Sequence, residues 1–151
     1  MSLINKIIFN SFIFLIILVS NSYSENLKKV GTFKDWEAII VSNDSGKVCF
    51  AQSKPVLQSP KKNDREARLF VTFRSSDKIS DEVSTTSGYE YNNQNSIIAT
   101  SGKSKYKFDI TQDNFAWISS NKIEKRIIKK MKKASRIMVI GYNQSGSQTM
   151  I

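Results

Sequence analysis

Apolar side chains recur at every second position through much of this chain, and a turn-forming cluster closes each run after a few residues. That pattern admits strands and disfavours helices, whose apolar stripe repeats roughly every 3.6 residues. Arg68 to Arg74 is a plain case, with Leu69, Val71 and Phe73 on one face and Phe70 and Thr72 on the other. Tyr106, Phe108 and Ile110 alternate as cleanly with Lys105, Lys107 and Asp109. Gly31 to Val41 reads as one strand, with Phe33 and Trp36 as large anchors and Trp36, Ala38 and Ile40 on one face. It pairs with Val48 to Ser53 across the turn cluster Asn43-Asp44-Ser45-Gly46. Pro55 and Pro60 bracket a polar loop through Lys61, Lys62, Asn63 and Asp64, outside the sheets because proline cannot donate to a ladder. Glu82 to Ser87, Ile97 to Thr100 and the apolar Phe115 to Ile118 add further short strands. About seven or eight strands between frequent turn signals predict an antiparallel sandwich or barrel. Trp36, Trp117, Phe70 and Phe73 are its expected core aromatics.

One segment breaks the strand pattern. From Asn121, Ile123, Ile127, Ile128 and Met131 form a narrow helical stripe, surrounded by Lys122, Lys125, Arg126, Lys129, Lys130, Lys132 and Lys133. Asn121 with Glu124 three residues on has capping-box spacing, so reciprocal capping is expected there. The helix is expected to stop near Ala134-Ser135 and to feed a strand from Ile137 to Tyr142. A basic amphipathic helix of this kind can lie on an anionic membrane surface. Equally, its stripe can pack on the sandwich while its lysines face water.

Composition narrows the function. The formal net charge is +10, there is no histidine, and Cys49 is the single cysteine. No internal disulfide is possible, and the commonest general base and metal ligand is missing. A basic residue, the apolar stretch Ile7 to Val19 and a polar end from Ser20 to Ser24, with small residues at Ser22 and Ser24, have the layout of a secretory signal peptide cleaved after Ser24. The unbroken run Phe12 to Val19 is well short of the ~20 residues that span a bilayer, so no transmembrane helix is expected in the mature chain. Residues 25–151 then make one domain. Export makes nucleic acid a poor partner. It leaves anionic lipid, lipopolysaccharide or another envelope partner for the positive charge, although much of that charge also serves plain solubility.

No catalytic, cofactor-binding or metal-ligating residues are expected. Cys49 lies mid-strand without a histidine base and reads as a small buried hydrophobe. Asp77, Asp81 and Glu82 lack calcium-loop spacing and read as a solvated turn. Glycine-rich phosphate loops and Gly-x-Ser-x-Gly elbows are absent. An envelope hydrolase using Asp or Ser is the alternative, and it requires a deep pocket with converging carboxylates.

Several blocks resemble one family. Phe33-Lys34-Asp35-Trp36 resembles the Phe-Gly-Asp-Trp opening of the invasion-associated locus B family of alphaproteobacterial exported proteins. Val48-Cys49-Phe50-Ala51 with Ser53-Lys54-Pro55, then Leu69 to Arg74, resemble its following blocks, with Ser75 where proline is usual. Asp81 to Ser84 with Gly88-Tyr89, Phe115-Ala116-Trp117, and Met131 to Val139 resemble the remainder in order. The resemblance implies an immunoglobulin-like β-sandwich with one short basic helix, placed in the periplasm or outer envelope. It implies a non-enzymatic role in binding a surface or partner, linked to host-cell entry in pathogens, and no cofactor. Some members carry a second cysteine, which this chain lacks. The family's Tyr-Ser-Leu-x-Gly-Phe strand would begin where the sequence reaches Ile151, so a shortened domain with an unpaired edge strand is expected.

Overall fold

The computed structural model describes residues 26–43, 46–61 and 65–151. The expected signal peptide, turn residues Asp44 and Ser45, and loop residues Lys62 to Asp64 lie outside the described residues. The architecture is all-β with a single described helix: two antiparallel sheets, as the alternation predicts. One sheet has seven strands in the order β1 (Asn26–Phe33), β2 (Trp36–Asn43), β3 (Gly46–Ser53), β4 (Arg68–Arg74), β5 (Ile79–Thr86), β9 (Phe115–Trp117), β8 (Ile110–Gln112). The other has four, in the order β11 (Gln148–Met150), β10 (Met138–Tyr142), β6 (Ile97–Ser101), β7 (Ser104–Phe108). Helix α1 (Asn121–Met131) lies between β9 and β10 in the chain.

Alternation explains which faces meet. β4 buries Leu69 and Val71, which sit opposite Thr85 and Val83 of β5. The four-stranded sheet answers with Ile97, Ala99, Tyr106, Phe108 and Val139. Ala116, Ile118 and Ile127 belong to the same cluster, so both sheets and the helix share one core. Tyr91, in the connection before β6, is buried in it. Its hydroxyl is hydrogen-bonded to Ser87 Oγ at 2.9 Å, and burial pushes its pKa up to about 12.

Three expectations need correction. Gly31 to Val41 is two strands, because the chain reverses at Lys34-Asp35, with Lys34 in the left-handed region at φ 56. β1 is an edge strand with its side chains largely in solvent, and Phe33 is 65% exposed instead of anchoring a core. Phe73 is also exposed, at 42%, near the end of β4. The run from Lys105 to Ile110 is not one strand either. β7 ends at Phe108 in one sheet, and β8 starts at Ile110 in the other. Ile110 is consequently 48% exposed.

Asp109 fixes that crossing. Its N–H donates to the Trp117 carbonyl at 2.9 Å, and its carboxylate accepts from the Ser119 N–H at 2.8 Å and from Ser119 Oγ. The Ser119 hydrogen bonds hold the Asp109 carboxyl below its ordinary range. Its contribution is therefore present above that range and fades as pH falls through the lowered value. Asp109→Ala is expected to lower stability by about 1 kcal/mol, read as a smaller urea midpoint at unchanged slope.

The edge expected near this end of the sheet is β11, the terminal strand of the four, and it is met on its outer side by one bridge. β11 pairs with β10, and the outer side of Met150 exchanges two backbone hydrogen bonds of 2.9 Å with Ser59. The Pro55 to Pro60 segment thus leaves the main ladders, as proline requires, yet returns to cover this edge.

Candidate functional site

The helix is fastened to the sandwich by one apolar and one polar side chain. Ile127 is fully buried at 0% exposure, while Ile123, Ile128 and Met131 pack partly buried against the core. Glu124, 7% exposed, does not close a capping box. The N-cap is Ser120, not Asn121, and it makes no side-chain capping bond. Glu124 Oε1 instead accepts from the Val83 N–H at 3.0 Å.

Strand geometry explains the change. β9 ends at Trp117, and just beyond it the Ile118 N–H donates to the Val83 carbonyl at 3.3 Å. In an antiparallel strand the N–H and C=O of one residue point to the same side. The Val83 N–H therefore points past the end of β9, where a buried donor needs an acceptor. Glu124 supplies it. Burial raises the Glu124 pKa, the Val83 hydrogen bond opposes that rise, and the negative charges of Glu82 and Asp81 add to it.

Packing the stripe inward turns the cations outward. Lys122, Lys125, Arg126, Lys129, Lys132 and Lys133 are exposed, and Lys130 is half-buried. The structure thus places all seven expected residues on one short segment. The helix ends at Met131, earlier than expected, and Lys132 and Lys133 follow in a turn closed onto the Ile128 and Lys130 carbonyls. None of the seven forms an ion pair among the described residues, whose pairs are Lys29–Glu37, Arg68–Glu66, Arg74–Asp77 and Arg74–Glu82. Lys129 and Lys130 also complement the negative end of the helix dipole.

A second feature escaped the sequence reading. An open cleft of about 570 Å³ lies where β5, β8 and β9 meet the start of α1. Trp117, expected in the core, lines it half-buried, and its other neighbour is Phe115, stacked at 5.7 Å between ring centroids. The expected acidic turn is not simply solvated: Arg74 grips Glu82 through two nitrogens at 3.2 and 2.8 Å and reaches Asp77 at 3.3 Å. Glu82 and Glu124 both line the cleft. Among the described residues no group of three His, Cys, Asp or Glu is placed to hold a metal ion. Cys49 is a free thiol, half-buried in β3 instead of fully buried. No described helix is long and apolar enough to cross a membrane. No family model, curated protein or solved structure matches the chain.

Proposed function

We propose that this is a non-enzymatic protein of the periplasm or outer envelope, similar in kind to invasion-associated locus B proteins, which binds an anionic surface through α1. The supporting observation is the arrangement of this segment: four exposed cations on a helix whose apolar stripe is used up by the core and two more in the turn that follows it, none of them in an ion pair among the described residues. A surface helix held this way presents charge and inserts little. Its attraction to anionic lipid or lipopolysaccharide is electrostatic, ~1 kcal/mol for each lysine near the surface, and decays within a Debye length.

Cosedimentation with vesicles tests the reading. The mature protein is expected to bind phosphatidylglycerol or lipopolysaccharide vesicles at low salt, to release at high salt, and to ignore phosphatidylcholine. Binding that is equal on neutral vesicles, or absent at low salt, contradicts it.

The hydrolase alternative draws on the cleft, which two carboxylates, Glu82 and Glu124, line. Glu82 is held by Arg74 and Glu124 by the Val83 N–H, so each already has a structural partner. That supports binding over turnover as the reading of this region.

A further inference from the structure

The cleft beside α1 has a lining that the helix reading does not use. We propose that it is a binding site for a neutral saccharide of a few pyranose rings, with Trp117 as the platform, Gln112 and Asn121 as hydrogen-bond donors and acceptors, and Ser119 Oγ, whose proton goes to Asp109, as an acceptor.

Size and chemistry carry the assignment. Its volume of about 570 Å³ falls within the ~300–1,000 Å³ of ligand pockets. Its lining holds two cations, Arg74 and Lys78, and two carboxylates, Glu82 and Glu124, with Arg74 paired directly to Glu82. Arg74 is already shared between Asp77 and Glu82, so the cleft is no phosphate cradle. The carboxylates in turn repel anions. A neutral ligand remains. Trp117 offers a large apolar surface, and a tryptophan beside polar groups suits a ligand that is apolar on one side and polar on the other. Amide and hydroxyl side chains present both donors and acceptors, which matches vicinal hydroxyl groups. A pyranose has both properties: an axial C–H face and a rim of hydroxyls. A peptide would need a strand edge to extend. Two strand edges reach the lining: β8 has only three residues, and the stretch of β5 from Ile79 to Glu82 that β9 leaves open is bent at Asp81, with φ 63, so neither offers a regular ladder.

The site is independent of the vesicle reading, because it uses none of the seven helix cations. Its test therefore fails or succeeds separately. Maltotriose, cellotriose and triacetylchitotriose are titrated into the labelled mature protein, and the Trp117 indole N–H is followed in nitrogen–proton correlation spectra. Trp36→Phe assigns that signal. At least one sugar is expected to give a saturable shift at the Trp117 indole and the Ser119 and Asn121 amides, unchanged by salt. Gln112→Ala, at an exposed position, should weaken that binding by about tenfold. The proposal is overturned if none of the three sugars moves the Trp117 signal saturably. It is equally overturned if inorganic phosphate or trialanine produces the same shifts.

Discussion

Ile127→Ala is expected to cost about 2–5 kcal/mol of unfolding free energy, the range for truncating a fully buried aliphatic side chain. Ile127 has no solvent exposure and belongs to the cluster that joins both sheets. The branched side chain is the helix's deepest contact, so its loss leaves a cavity at a three-way junction that cannot collapse without moving α1. Total stabilities of single domains run to only about 5–15 kcal/mol, so this one change removes a large share. Urea unfolding by circular dichroism measures it. Ile123→Ala, at a half-buried position on the same stripe, should cost clearly less. Equal losses at the two positions would mean that the helix is not anchored chiefly through Ile127.

Glu124 gives the second large effect, and its two substitutions should diverge. Glu124→Ala leaves the Val83 N–H buried without an acceptor and should cost about 1–3 kcal/mol. Glu124→Gln keeps a carbonyl oxygen in reach of that N–H and removes the buried charge. The pH dependence follows from the direction of the shift. The folded-state pKa is raised above the ordinary 4.5, so the folded protein holds its proton more tightly than the unfolded chain. The resulting stabilisation is complete below 4.5 and is lost as pH rises through the raised value. Wild type should therefore lose stability across that window while Glu124→Gln does not. The two proteins should match at the acid end, and the glutamine variant should be the more stable at neutral pH. Unfolding midpoints taken through the window test this, and parallel curves would contradict the assigned burial of a charged carboxylate.

Fold class was legible because alternation is a local property. β4 was readable to its ends, Arg68 and Arg74, since its face periodicity and the flanking turn are both written in consecutive residues. β1 was not, because an edge strand in solvent carries no apolar alternation, and Lys34 holds a positive φ without the glycine that usually marks one. Alternation also ran on through Asp109, where the chain changes sheets. Nothing in the pattern Tyr106, Phe108, Ile110 distinguishes a strand that continues from one handed to another sheet.

Glu124 shows a different limit. Its spacing from Asn121 fits a cap, but the donor it serves is Val83, distant in sequence and exposed only by the early end of β9. A tertiary demand outcompeted a local one. The seven cations could be read directly, because charge on a helix face needs no partner to be seen. The cleft could not, since Trp117, Gln112, Glu82 and Asn121 come from four separate elements.

The proposed contact with an anionic surface is made by charge on α1 and the turn after it, and not by the basic character of the chain at large. Two quadruple variants with the same net charge decide it. One carries Lys122→Gln, Lys125→Gln, Lys129→Gln and Lys133→Gln, and the other Lys47→Gln, Lys54→Gln, Lys103→Gln and Lys105→Gln, all at exposed positions. Their low-salt affinities for phosphatidylglycerol vesicles are compared after matching thermal unfolding midpoints are confirmed. The helix variant is predicted to bind at least about a hundredfold more weakly than wild type, given ~1 kcal/mol per lysine, and the control to stay within about threefold. Equal losses in the two variants, or no loss in either, would contradict the claim.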